Sequence, residues 1–317
     1  MKIAITGAMG FIGSNFTRYM IEKYPSYDFV LVDKLTYASG ENGFSTENLN
    51  DLIDGRRVKF FQKDICNKED MYDALYMCHA VVNFAAESHV GRAMVTGTRH
   101  INSNDIGATI IGEVASDYHI RMVQISTDEV YGEIEKGKFL EDMKLNPKNR
   151  YSASKAAGEM NLRALTYSPH HLDLVITRSG NNYGIYQSQE KFVHVIAESI
   201  AKDRKIPVHG KGEEIREWLY VIDNCKAIDL VLHKGRSGEI YNIGSHMELP
   251  NIKLAEMAVE EFGGEIEFVG NRPGNDTRYS LDTSKIEALG WKPEAIGENF
   301  KSRMLETIDY YLKRHKR

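Results

Sequence analysis

The chain has 317 residues, 42% of them hydrophobic and 27% charged, and a formal net charge of −5. That balance belongs to a globular protein of about two domains at roughly 150 residues each, and it excludes disordered, collagen-like and low-complexity chains. The acidic balance argues against a nucleic-acid partner, which asks for a basic face, and no apolar run reaches the ~18 residues of a membrane span. The start of the chain lacks the pattern of a secretion signal. Three scattered cysteines, Cys66, Cys78 and Cys225, form neither a disulfide framework nor a metal-binding pair. A reducing, cytoplasmic setting is the expectation, and no metal site is expected: the adjacent His170 and His171 point apart on regular structure.

Lys2–Thr6 reads as a strand that runs straight into glycine, and Phe11–Lys23 has the apolar spacing of a helix. Phe29–Val32 is β-rich and stops at Asp33. Val58–Phe61 is a further strand, Lys68–Met77 a helix, and Ala80–Phe84 a fourth strand. Ile106–Ala115 reads as a helix, Met122–Ile125 as a fifth strand, Tyr151–Leu165 as a helix and Leu172–Thr177 as a sixth strand. Alternation of this kind predicts an α/β fold, a Rossmann-type doubly wound parallel sheet, with strands apolar on both faces. After about Arg178 the pattern becomes irregular. The expected division is a cofactor domain over 1–178 and a smaller α/β substrate domain over 179–317, with segments near 222–244 returning to the first.

Gly7-Ala8-Met9-Gly10-Phe11-Ile12-Gly13 lies between the first strand and the first helix. Glycines there permit a tight turn and close approach of a pyrophosphate to the N–H groups of the helix start. Asp33 closes the second strand, where a carboxylate holds the hydroxyls of an adenosine ribose and repels a 2′-phosphate, which favours NAD over NADP. Tyr151 and Lys155 are four apart on a predicted helix and therefore share a face. An ammonium beside a phenol favours the phenolate, which is the base needed to take a proton from a sugar hydroxyl. Thr127-Asp128-Glu129 ends the fifth strand, at the edge where open α/β sheets bind ligands. Two adjacent carboxyls supply an acid and a base if their surroundings separate them.

On the glycine spacing, Asp33 and the Tyr151/Lys155 pair, the chain resembles the extended short-chain dehydrogenases/reductases over nearly its whole length. Ser126-Thr127-Asp128-Glu129-Val130-Tyr131-Gly132 is similar to the segment of nucleotide-hexose 4,6-dehydratases of the dTDP-glucose type. The resemblance implies transient oxidation of a nucleotide sugar at C4, loss of water across C5–C6, and a tightly held NAD. It implies catalytic roles for Thr127 (bonding O4), Tyr151 (taking its proton), Lys155, Glu129 (removing the C5 proton) and Asp128 (protonating the departing C6 hydroxyl). It implies cofactor contacts from Gly7, Gly10, Phe11, Ile12, Gly13, Asp33, Lys34, Thr36, Asp64, Ile65, Ala85, Tyr151 and Lys155. Substrate contacts are implied for Ser88, His89, Asn182, Lys191, Arg216, Asn242 and Arg272, and a homodimer for the assembly.

Three positions depart from the pattern: Gly91 stands where Asp is usual, Asn275 where His is usual, and His209 where an aromatic is usual. The last two leave the nucleotide base open. Other outcomes of the same fold are a UDP-sugar 4,6- or 5,6-dehydratase, a 4-epimerase or a decarboxylase. Asp128 argues against the last two, and the retained Tyr151, Lys155, Asp128 and Glu129 argue against a non-catalytic NAD sensor.

Overall fold

The structure, a computed structural model, describes residues 1–40, 43–169, 171–270 and 277–315. Six strands appear in the first part of the chain: β1 (Lys2–Thr6), β2 (Asp28–Asp33), β3 (Val58–Gln62), β4 (Ala80–Asn83), β5 (Arg121–Thr127) and β6 (Leu174–Ser179). They alternate with helices α1 (Phe11–Lys23), α2 (Lys68–Leu75), α3 (Val90–Val95), α4 (Gly97–Ile101), α5 (Ala108–Asp117) and α6 (Arg150–Leu165). The strands pair in parallel in the order β6-β5-β4-β1-β2-β3, and Ile240–Ile243 joins the free side of β6 as a seventh parallel strand. This is the expected doubly wound sheet.

Both faces of the sheet are covered, which is why its strands carry almost no polar alternation. Phe16 and Met20 of α1 pack with Ile228 and Val231 of the helix Val221–Lys234 over Ile3, Ile5 and Leu31 on one face. Met71, Ile111 and Leu162 cover Ala4, Val30 and Val81 on the other. A separate apolar cluster, with Val193, Ile196, Trp218, Leu254 and Tyr311, lies in the later part of the chain. That part is more regular than expected. It has helices Phe192–Ala201, Asn251–Phe262 and Glu298–His315, a three-stranded sheet built on Ile215–Tyr220, and the parallel pair Ile206–His209 with Ile266–Val269.

Two helices differ from expectation. α2 stops at Leu75, because Met77 takes a left-handed φ of 56° that no helix continues. The helix expected from Ile106 starts at Gly97 and passes through a π-helical stretch, Asn102–Gly107, before α5. Close packing accompanies the distortion: a Cβ on Gly107 would stand 2.7 Å from Ile65 Cδ1. α6 begins with a capping box in which the Asn149 side chain accepts from Ser152 N at 2.9 Å. The fully buried pair Arg178–Glu159, at 2.5 Å, fastens α6 to β6. Among the described residues, no helix is long and apolar enough to cross a membrane.

Candidate active site

The C-terminal ends of β1, β4, β5 and β6 open into a cleft of about 580 Å³. A smaller pocket of about 70 Å³ shares Gly7, Gly10, Ala38, Phe84 and Ala86 with it. Gly7 turns the chain with φ +67°, and a Cβ there would lie 2.5 Å from Ala85 N. Gly13 is equally closed off, since its Cβ would overlap Gly7 O. Gly10 is different. A Cβ on it would meet nothing of the protein closer than 3.4 Å, yet it lines both pockets. The space it leaves is therefore on the ligand side. No side chain caps α1, so the N–H groups of its first turn, at Phe11, Ile12 and Gly13, face the cleft as anion donors.

Asp33 stands at the end of the smaller pocket. Its Oδ1 accepts from Leu35 N (2.8 Å) and Ser39 Oγ (2.7 Å), and Oδ2 from Met9 N (3.0 Å). Burial pushes the carboxyl up and these three donors oppose it. The carboxylate thus fixes the glycine loop as well as facing the pocket. Lys34, Thr36, Ile65 and Ala85 line the same pocket. Asp64 is outside both lining sets. It accepts from Cys66 N at 3.0 Å and pairs with Lys34 at 3.5 Å, which makes it a support for the pocket wall. The cradle, the open helix start and the carboxylate together fit a dinucleotide.

Thr127, Asp128, Glu129, Tyr151 and Lys155 all line the cleft. The two adjacent carboxyls have distinct environments. Asp128 is buried; its Oδ1 accepts from Thr127 Oγ1 at 3.1 Å, and its Oδ2 has no hydrogen-bond partner among the described residues. Burial, then Glu129 and Glu217, push it well above the usual carboxylate range, which favours its acid form. Glu129 is half-buried, and its Oε2 accepts from Asn149 Nδ2 at 3.1 Å. Sequence spacing did not reveal Asn149 as a site residue. Its one signal was the Asn-x-x-Ser capping pattern just before Tyr151.

Lys155 donates from Nζ to Ile125 O at 2.6 Å, and burial pulls it down to about 8. The effect expected of it on Tyr151 is absent. Burial, then Glu129 and Asp128, push the phenol up, and the hydrogen bond with Thr127 opposes them. Burial is the main cause, and the Lys155 ammonium is turned to a backbone carbonyl.

Ser88, His89, Asn182, Lys191 and Arg216 line the cleft. Arg216 is buried and stacks on Tyr279 at 4.9 Å. Asn182 gives Nδ2 to Gly180 O at 3.0 Å and takes a bond from Asn224 Nδ2 at 2.9 Å. Asn242 is not in the cleft. It is fully buried, donates to Phe139 O at 2.9 Å and accepts from Tyr131 Oη at 2.8 Å, because its strand has become the edge of the large sheet. Arg272 and Asn275 lie outside the described residues. Gly91 sits within α3, and His209 lines the cleft with Pro207 and Val208.

A family model described as GDP-mannose 4,6 dehydratase matches residues 4–304. The chain belongs to this family. Among its relatives, the low-salt glycan biosynthesis protein Agl12 of Haloferax volcanii is 42% identical, over 98% of this chain and 99% of that one. A dTDP-glucose 4,6-dehydratase of Streptomyces niveus is 38% identical, over 98% and 93%. The crystal structure of the dTDP-glucose 4,6-dehydratase DesIV of Streptomyces venezuelae, which has NAD bound, superimposes with a TM-score of 0.93 at 36% identity and covers 99% of this chain and 97% of that one. Family membership agrees with the Thr-Asp-Glu turn at the end of β5.

Proposed function

We propose that the protein is an NAD-dependent dTDP-glucose 4,6-dehydratase, a hydro-lyase that makes dTDP-4-keto-6-deoxyglucose. The observation that carries this reading is Asp128: a buried carboxyl with one oxygen unpartnered among the described residues, next to a more accessible carboxylate and in one cleft with Tyr151 and Lys155. A protonated acid beside a base is what elimination of water needs. The relatives named dTDP-glucose 4,6-dehydratase support the sugar and the base.

Gly7, Gly10, Gly13 and the first turn of α1 would hold the cofactor's diphosphate, and Asp33 its adenosine ribose. NAD held there would supply hydride-transfer chemistry, between C4 and C6 of the sugar. Tyr151 takes the O4 proton, with Thr127 bonding to the same oxygen. Oxidation makes the C5 proton α to a ketone, and Glu129 removes it. Asp128 gives its proton to the C6 hydroxyl as the C–O bond breaks, and Glu129 returns its proton to C5. The water carries away the Asp128 proton and the C6 hydroxyl, and the proton left on Tyr151 is exchanged through solvent to restore Asp128, so the sugar loses one water overall. Arg216 and Lys191 supply positive charge for the sugar diphosphate, the guanidinium as a fork that matches its oxygens.

The division into a cofactor part over 1–178 and a mainly sugar-binding part over 179–317 goes with this reading. So does a homodimer, supported by exposed Ile101, Ile106 and Met160 on neighbouring α4, the π-helical stretch and α6. A cytoplasmic location is supported by three free cysteines. The test is to incubate the protein with NAD and dTDP-, UDP- and CDP-glucose, GDP-mannose and UDP-GlcNAc in turn. Loss of one water from dTDP-glucose by mass spectrometry, with a C6 methyl group by NMR, is the expected result. Inversion at C4 without water loss would overturn it.

A further inference from the structure

Asp128 has a second buried carboxylate close by, from a distant part of the chain. Glu217, on the strand Ile215–Tyr220, is fully buried. Its Oε1 accepts from His246 N at 2.7 Å and its Oε2 from Leu281 N at 3.0 Å. Gly244 makes room for the group, since a Cβ there would overlap Oε1. Burial pushes the Glu217 carboxyl up, and the two N–H donors oppose it in favour of the ionised form. Gly180 lies between the two acidic residues. A Cβ on Gly180 would stand 3.1 Å from Glu217 O, 3.7 Å from Glu217 Cβ and 3.8 Å from Asp128 Oδ2. No side chain from that position screens one from the other, and among the described residues Asp128 Oδ2 has no hydrogen-bond partner to hold a charge.

We propose that Glu217 is a positioning residue for the elimination: its fixed negative charge, set behind Gly180, keeps Asp128 in the acid form until the C6 oxygen departs. The inference rests on the dehydratase reading above. Glu217 differs from Glu129 in one respect that matters. Glu129 loses its charge when it takes the C5 proton, whereas Glu217 lies outside the cleft lining and is assigned no proton transfer. The charged and titratable groups facing Asp128 are Glu129, Glu217, Arg216 and Tyr151, with the Thr127 hydroxyl. Glu217 in turn faces His246 and Glu248. Burial and the two glutamates outweigh Thr127 and Arg216 at Asp128.

The experiment follows the protonated-carboxyl infrared band that is lost in Asp128→Asn, as a function of pH. In the wild type the band should persist through neutral pH. In Glu217→Gln it should vanish about one pH unit lower, as expected when one buried like charge is removed. Glu217→Asp, which keeps the charge, should titrate close to wild type. Turnover of dTDP-glucose by Glu217→Gln should fall away at correspondingly lower pH, with KM unchanged. Equal titration of Asp128 in the wild type and Glu217→Gln, or an equal shift in the Gln and Asp variants, would overturn the proposal. If Glu217→Gln does not fold, Glu217→Ala takes its place with the same expected shift, and an unshifted Asp128 band in it overturns the proposal, as does an Asp128 already ionised at neutral pH in the wild type. The band reports Asp128 whether or not any sugar is turned over. A protein inactive on every nucleotide sugar therefore defeats the dehydratase reading without deciding the role of Glu217.

Discussion

Asn149 Nδ2 donates to Glu129 Oε2 at 3.1 Å while Asn149 Oδ1 accepts from Ser152 N at 2.9 Å. One side chain therefore both starts the helix that bears Tyr151 and holds the carboxylate assigned to C5. Asn149→Ala should lose the cap, worth about 1 kcal/mol, and free Glu129 as well. Asn149→Asp keeps the cap but sets a negative charge against Glu129. Thermal unfolding should show a lower Tm for the Ala variant only, whereas steady-state turnover should fall in both. An Asp variant with wild-type turnover would detach Asn149 from the chemistry.

The two carboxyls are expected to fail at different points. Asp128→Asn and Glu129→Gln should each lower dehydration by roughly 10²–10⁴-fold, the usual size of one acid–base contribution. Exchange of the sugar C5 hydrogen with solvent deuterium separates them: it should continue in Asp128→Asn and stop in Glu129→Gln. Near-normal turnover in either variant would remove that residue from the mechanism.

Lys155 gives a stability prediction with a defined pH window. Its ordinary value is 10.5 and burial lowers it to about 8 in the folded protein. Between those values the unfolded chain binds the proton and the folded one does not, so stability rises with pH there. Below about 8 the folded protein bears the full cost of a buried ammonium. Lys155→Met should therefore raise Tm at pH 7, with the advantage shrinking as pH rises from about 8 to 10.5. Calorimetry across that range checks the sign, and a constant difference would contradict it. Activity should be lost at every pH.

Asn242 tests the distinction between a ligand contact and a structural one. Its amide is spent on Phe139 O and Tyr131 Oη. Asn242→Ala removes the acceptor of the buried Tyr131 Oη, at about 1–3 kcal/mol, whereas Phe139 O still accepts from Asp282 N at 2.9 Å. The Tm should fall clearly, while the KM for the nucleotide sugar in the folded fraction should stay at the wild-type value. A raised KM at unchanged Tm would restore Asn242 to the substrate site.

What was legible in the sequence was local. The glycine loop, Asp33, the Tyr151/Lys155 spacing and the Thr127-Asp128-Glu129 turn each work through neighbours a few residues away, and strand-to-helix alternation fixes which end of the sheet they occupy. What was hidden depends on contacts between distant segments. Glu217 comes to Asp128 only because two glycines let the later sheet approach β5 and β6. The Asn242 segment looks like a binding motif in isolation, but strand pairing with β6 turns its amide inward. The upward push on Tyr151 has the same origin, since it comes first from burial under the folded chain, while Lys155 points to Ile125 O. The early stop of α2 was missed because nothing in the type of Met77 announces a positive φ.

The strand Ile240–Ile243 and the helix Val221–Lys234 return to the large sheet after the chain has built most of the three-stranded one. Trp291 follows them back, giving Nε1 to Asp223 O at 3.0 Å. A fragment ending at residue 178 would lack its seventh strand and leave Phe16 and Met20 facing water. The later part of the chain, proposed to bind the sugar, is accordingly no detachable cassette. Grafting that region from one member of the family onto another would have to carry the returning strand and helix with it, or the recipient's own sheet would come apart at the seam.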